Sequence, residues 1–262
     1  MIKKKIKIVK FKGGLGNQLF QYGLYKYFKS KKFQVYADLS FYENQKKYKK
    51  ISLRKFYLNK ILKEKLHVIK IEKNSIKFVL LQKFEKLLIK LLKLNINIPI
   101  KYWNGYWQDI FFAKYVNKND FKKNFFKIFI KLPKKYYILH YRSGDFKYSD
   151  SHVVIDSLYY HKALKKFKNY KIIALSDDDK NLNKMLNKIL IKRNIIKLKN
   201  IDTMNAFKII VGCSGGISSN STFCWWGSHL SKKKNWVYPE HWLKAIKTKD
   251  ANLAISKNKI LI

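Results

Sequence analysis

An α/β protein built on parallel sheets is what this sequence predicts, and three observations carry the prediction. Near the N-terminus an apolar run, a glycine-rich turn, a helical pattern and a second alternating run follow one another, which is how a parallel sheet opens. Later apolar runs break into polar clusters at "HYRSGDF" (140–146), "LSDDD" (175–179) and "SSNSTF" (218–223). Ligands of open α/β sheets bind at the carboxyl ends of strands, so these clusters should converge on one crevice.

Taken in order, Ile6, Ile8 and Phe11 mark a first strand. Gly13, Gly14 and Gly16 form the turn, and Gln18 to Ser30 places Leu19, Phe20, Leu24, Tyr27 and Phe28 at helical spacing. Phe33 to Asp38 alternates like a second strand. From Ile76 to Leu94 apolar residues recur at helical spacing with lysines between them, a basic amphipathic helix whose apolar face is read as packing on the core in preference to a membrane surface. Pro133 precedes a buried strand from Tyr136 to Tyr141, and the domain boundary is placed there, giving halves 1–132 and 133–262. Lys171 to Asp179 and Ala206 to Leu230 repeat the pattern of a strand ending in polar residues. There is neither an internal repeat nor a Gly/Ser linker.

With 262 residues and 47% apolar content, the chain can bury a sizeable core. Its formal charge is +42, yet of 58 basic residues only Arg54, Arg142 and Arg193 are arginine, and the lysines run from Lys3 to Lys259. Nucleic-acid proteins concentrate their cations and favour the arginine fork. The abundance of Lys, Asn and Ile, all A/T-rich codons, favours genome composition as the source of the charge, so no specific nucleic-acid partner is expected. The same charge attracts anionic membranes and nucleotide-sugars without specificity. Cys213 and Cys224 make neither a disulfide framework nor a zinc set. The basic N-terminus alternates with apolar residues instead of forming a signal-peptide core, and no run is long enough for a membrane span. A cytoplasmic location is expected, with peripheral contact at the inner face of the membrane.

The glycine turn admits more than one reading. Gly14-x-Gly16 with Asp38 further on suits a dinucleotide fold, but Leu19 stands where the third glycine belongs. No Gly-Lys-Ser/Thr is present, which excludes a P-loop. The plain structural alternative is a tight strand-to-helix connection with glycine at positive φ and Asn17 as helix cap.

The full set of motifs changes the balance. "GGLGNQLFQYGLYKYF" (13–28), "GYWQDIFF" (105–112), "HYRSGDF", "LSDDD" and "SSNSTFCWWGSHL" (218–230) stand in the order seen in bacterial α-1,2-fucosyltransferases. The sequence resembles that inverting glycosyltransferase family, family 11, over most of its length. The resemblance implies a GT-B-like architecture of two Rossmann-like halves facing a cleft, the N-terminal half on the acceptor side and the C-terminal half binding GDP-fucose. It further implies transfer of fucose to O2 of a terminal β-linked galactose in a surface glycan such as an O-antigen, capsule or lipooligosaccharide, with no cofactor and no required metal. Ser143 departs from the pattern, because a second arginine often stands there.

Cleaving the bond between fucose and GDP builds charge on the β-phosphate, which a metal-free site must meet with cations and N–H donors. Arg142, just beyond a buried strand, has the planar fork for that task, against a plain ion pair with Asp145. Ser219, Asn220, Ser221 and Thr222 precede a helical stretch and suit a diphosphate at a helix start, against simple capping. His140 and Asp177 or Asp178 are expected to recognise guanine or ribose, as the resemblance suggests; taken alone, Asp177-x-Asp179 also fits a metal-binding pair. Asp145 is the nearest base by motif, with the donor phosphate as the other proton acceptor. Asn17 and Gln18 are candidates for orienting leaving group or acceptor. Trp103, Tyr106, Trp107 and Gln108 offer aromatic faces and polar groups for the acceptor sugar, against a hydrophobic plug between domains. Trp225 and Trp226 are read as core. Two other classes remain: a non-catalytic basic protein binding nucleic acid or anionic membrane, and a Rossmann oxidoreductase.

Overall fold

Two parallel sheets, one in each of two separate units, make up the computed structural model, which describes residues 5–43, 45, 53–69, 100–167, 169–189, 195–198, 200–255 and 259–261. The basic helix expected over 76–94 lies outside the described residues. Among them the N-terminal unit extends to residue 122 and the C-terminal unit begins at 123.

In the N-terminal unit, β1 (Ile6–Lys10) is flanked on both sides by parallel partners, β2 (Gln34–Asp38) and β3 (Ile100–Trp103). Helix α1 (Leu15–Ser30) buries Leu15, Leu19, Phe20, Tyr22, Leu24, Tyr25 and Phe28. Each such side chain contributes on the order of 1.5–3 kcal/mol when fully withdrawn from water. The helix starts three residues before the expected Gln18. Gly14 is its N-cap, so Asn17 lies inside the first turn and does not cap it.

The turn itself is a closed structural device. Gly13 sits at φ +80°, and a Cβ there would stand 2.8 Å from Asn17 Nδ2. Its carbonyl accepts hydrogen bonds from Gln18 Nε2 and Tyr42 Oη, both at 3.1 Å. The buried Gln18 amide also donates to Lys55 O and accepts from Tyr57 N, so both of its polar ends are engaged inside the unit. Asp38 is fully buried; Tyr102 Oη donates to it, Ser40 N donates at 2.8 Å, and Lys10 Nζ lies 3.9 Å away. A carboxylate so engaged is not placed to receive a ribose hydroxyl, which removes the dinucleotide reading of Gly14-x-Gly16.

The C-terminal unit carries β4 (Tyr137–Tyr141), α2 (Ser157–Lys166), β5 (Ile172–Ser176), α3 (Asp179–Lys188), β6 (Ile195–Lys197), α4 (Thr203–Gly212), β7 (Gly216–Ile217), α5 (Thr222–Ser231), β8 (Trp236–Pro239), a small hairpin of β9 (His241–Leu243) with β10 (Ile246–Lys247), and β11 (Ile260–Leu261). Six strands pair in parallel in the order β11-β8-β7-β4-β5-β6. Every residue of β4 is buried, as expected for a central parallel strand covered on both faces. From β4 the chain runs outward through β5 and β6, then returns to β7 on the other side. The strand order therefore reverses between β4 and β7, which is where doubly wound sheets open a crevice.

One core cluster includes Tyr137, Leu139, Tyr160, Leu164, Ile172, Ala174, Leu182, Ile217 and Val237. Trp225 and Trp226 are buried, as expected, with Trp225 Nε1 donating to Leu253 O at 3.3 Å. In this unit aspartates cap three helices: Asp156 accepts from Tyr159 N, Asp178 from Asn181 N, and Asp202 from Met204 N and Asn205 N. No described helix is long and apolar enough to cross a membrane.

Candidate active site

All three polar clusters stand at the carboxyl ends of strands in one sheet, with β4 in the middle. Arg142 follows β4 directly. Its Nη2 lies 2.5 Å from Asp145 Oδ1 and its Nη1 lies 3.2 Å from Asp177 Oδ2, at the end of β5. The guanidinium carbon sits 5.3 Å from the centre of the Phe146 ring. A guanidinium has five N–H donors, so three remain after these pairs, and Nε is buried without a partner. The ion pair with Asp145 is thus real, and it holds the fork instead of consuming it.

Ser143, where the resemblance leads one to expect a second arginine, joins two strand ends. It is buried, its backbone N–H donates to Asp177 Oδ1 at 3.1 Å, and its hydroxyl donates to Asp178 Oδ2 at 3.1 Å. Gly144 lies under the same carboxylate; a Cβ there would stand 2.2 Å from Asp177 Oδ2. Asp178 serves chiefly as the N-cap of α3, and Lys147 Nζ pairs with it at 2.6 Å. Burial alone would raise its pKa, but the Lys147 bond and those from Asn181 and Ser143 outweigh that and bring it down to about 2. Lys147 thus adds a second cation to the cluster, one that the sequence reading missed. With Asp177 turned to Arg142 and Asp178 to Lys147, the acids do not converge, and the described residues contain no cluster of three or more His, Cys, Asp or Glu placed to hold a metal.

Across the reversal, His140 Nδ1 lies 2.8 Å from Ser219 Oγ, which ties β4 to the loop after β7. Burial first, and then the Arg142 charge, lower the His140 pKa to about 3, so the imidazole is neutral. Two tyrosines of α2 hold this floor: Tyr160 Oη donates to His140 O at 3.1 Å, and Tyr159 Oη donates to Ser218 O at 2.6 Å. Asn220 is anchored through Nδ2 to Val153 O and Trp242 O, while its Oδ1 is buried without a partner. Ser221 is the N-cap of α5, yet its hydroxyl makes no capping hydrogen bond, and Thr222 opens the helix. The ten-residue helix α5 therefore starts beside His140, whose ring lies 6.0 Å from that of Phe223, and a helix N-terminus favours anions.

In the N-terminal unit a second group of residues gathers at the carboxyl ends of β1 and β3. Asn17 Oδ1 accepts from Gln108 Nε2 at 3.1 Å, and Gln21 bridges Lys12 N to Gly105 O. Trp103 and Trp107 are half-buried, 5.2 Å apart, and Trp103 also packs on Phe28 at 5.0 Å. Both indole N–H groups are buried without a partner. Tyr106 is the exposed ring of this loop, with Lys12 Nζ 4.7 Å above it. The tryptophans belong to the unit's own aromatic packing, and Tyr106 and Gln108 form its outward face.

Residues 133–252 match the model of glycosyl transferase family 11. Among solved structures the chain is similar to the fucosyltransferase NodZ from Bradyrhizobium, at 10% identity and TM-score 0.50 over 87% of this chain and 93% of that chain. A NodZ α-1,6-fucosyltransferase structure soaked with GDP-fucose gives 11% identity and TM-score 0.51 over 87% of this chain and 93% of that chain. At such identity the likeness is one of fold, and the GT-B-like α/β class expected from the sequence is the class observed. No curated protein matches the chain.

Proposed function

From the match of residues 133–252 to the glycosyl transferase family 11 model, we propose that the protein is an inverting α-1,2-fucosyltransferase. It transfers L-fucose from GDP-β-L-fucose to O2 of a terminal galactose, in a precursor of a surface glycan. One observation carries the reading: the ends of β4, β5 and β7 are cross-linked by His140–Ser219 and by Ser143 with Asp177 and Asp178, so that a cation and a helix N-terminus share one strand-order reversal. That is the equipment a leaving diphosphate requires.

The C-terminal half, 133–262, is the GDP-fucose side in this reading, and 1–132 is the acceptor side. Arg142 offers the remaining N–H groups of its Nη atoms to the β-phosphate as the bond from C1 to the phosphate oxygen breaks. Ser221, Thr222 and the start of α5 receive the other phosphate, and the unpartnered Oδ1 of Asn220 accepts from a donor hydroxyl. The neutral His140 with Ser219, and Asp177 beside them, border the nucleoside. Asp145 holds the guanidinium in place. Asn17 fixes Gln108, and the exposed Tyr106, backed by Trp103 and Trp107, presents the aromatic face for galactose. These groups supply the leaving-group stabilisation without a metal, and the lysine-rich surface brings the enzyme to anionic membranes where glycan precursors reside.

The GDP-fucose donor is also supported by the GDP-fucose soaked into the NodZ structure, whereas that enzyme's α-1,6 linkage differs from the one proposed here. Linkage analysis of the product tests the reading. Purified protein, GDP-fucose and a lactose-type acceptor in EDTA should yield a trisaccharide with an α-fucosyl residue on galactose O2. A product linked elsewhere would overturn the acceptor assignment, and the absence of any fucosylated product would overturn the activity.

A further inference from the structure

His152 lies beyond the motif that supplied Arg142 and Asp145, yet the fold returns it to them. Its ring packs on Phe146 with centroids 4.2 Å apart, and Phe146 is the ring that also carries the Arg142 guanidinium. Its Nδ1 is 2.7 Å from Ser149 Oγ and 3.2 Å from Ser151 Oγ, and Nε2 has no hydrogen-bond partner among the described residues. The side chain is half-buried. Asp145 and Arg142 are the charged groups that act on it.

Resting on the sugar-transfer reading above, we propose that His152 takes the proton of the acceptor hydroxyl through Nε2. The acceptor O–H bond breaks as its oxygen forms the bond to fucose C1. The electron pair of the C1–O bond to phosphate leaves with GDP, and the proton passes to the imidazole and then to solvent. The tautomer this needs carries its hydrogen on Nδ1 and donates it to Ser149 Oγ, which also accepts from the His152 backbone N–H at 3.3 Å. Asp145, fixed on Arg142, faces the imidazolium that results. Burial first lowers the His152 pKa and Arg142 lowers it further, while Asp145 opposes them. The net direction is downward from the ordinary value of 6.5, so at neutral pH the ring is an unprotonated base. The one other base named by motif, Asp145, already has an oxygen engaged by Arg142.

The test is acceptor-dependent GDP release by the full chain, comparing wild type with His152→Gln and Ser149→Ala. His152→Gln should lower kcat by about 10²- to 10⁴-fold, leave the KM for GDP-fucose within about threefold of wild type, and abolish the acid limb of the kcat/KM profile. In wild type that limb should lie below the ordinary histidine range, because burial and Arg142 lower the His152 pKa. Ser149→Ala keeps the imidazole and should displace the limb, and exogenous imidazole should restore turnover to His152→Ala. Active wild type with an equally active His152→Gln and an unchanged acid limb would overturn the proposal. Should His152→Gln not fold, an unshifted limb in Ser149→Ala together with no rescue of folded His152→Ala would do the same. Wild type that neither binds GDP-fucose nor releases GDP would instead overturn the sugar-transfer reading itself.

Discussion

His140 Nδ1 and Ser219 Oγ stand 2.8 Å apart, one at the end of β4 and the other in the loop after β7, and this bond closes the point where the strand order reverses. Its pH dependence follows from the buried ring. The native state holds His140 neutral down to about pH 3, whereas the unfolded chain takes up a proton near 6.5. Stability is therefore fully present above 6.5 and declines as pH falls toward 3, by about 1.4 kcal/mol per pH unit for such a group. His152 and His229 are shifted in the same direction. Urea midpoints between pH 7 and 5 should fall, and His140→Asn should remove one proton's share of the slope. An identical slope in the variant would place the proton uptake elsewhere.

Arg142→Lys keeps a positive charge but loses the fork that spans Asp145 and Asp177. Turnover is expected to drop about 10²- to 10³-fold, the range for removing one transition-state donor. Arg142→Ala should fall at least as far while also leaving two carboxylates without their cation. Steady-state GDP release paired with a thermal melt separates the effects, and full turnover in Arg142→Lys contradicts the role.

Gly144→Ala places a methyl 2.2 Å from Asp177 Oδ2, an atom already held by Arg142. Overpacking of this kind costs about 1–3 kcal/mol. In an Asp177→Ala background the clash disappears, so the same glycine substitution should cost clearly less. A double-mutant cycle by urea unfolding reads the difference, and strict additivity would mean the two residues do not meet.

Ser221→Asp separates stability from binding. An aspartate at this unused N-cap should stabilise α5 by up to about 1 kcal/mol through capping and the helix dipole. The same negative charge should weaken GDP binding by more than about tenfold, because one decade corresponds to about 1.4 kcal/mol. Calorimetric titration with GDP decides; unchanged affinity would move the phosphate away from this helix.

The regular parts of the fold were legible because their residues carry a period. β1, β2, β4 and β5 appear as alternating or continuous apolar runs, and the polar residues that follow them mark the crevice. The start of α1 was misplaced because nothing in "GGLGN" caps by side chain; Gly14 occupies the cap through its backbone. The apolar run that opens Ala206–Leu230 reads as a strand but is the end of helix α4 (Thr203–Gly212); the strand that leads into the polar loop is β7, only two residues long, which owes its place to Ile138 and Leu139 across the sheet and not to a local pattern. β8, the buried run from Trp236 to Pro239, escaped notice although it pairs with both β7 and β11.

Among site residues, the motif pointed to Arg142, His140 and the 218–222 loop, and the fold brings all of them to one edge of the sheet. What sequence could not show is division of labour. Asp177 and Asp178 look equivalent in "LSDDD", yet one pairs with Arg142 and the other caps a helix under Lys147. Lys147 and His152 carry no spacing signal, since a short irregular turn and the Phe146 ring, not periodicity, return them to the cluster.

The most direct measurement is GDP release from GDP-fucose by the purified full chain in EDTA, with and without a β-galactoside acceptor. The account predicts release that depends on acceptor and persists without divalent metal. No release, with GDP-fucose also failing to bind, would contradict it.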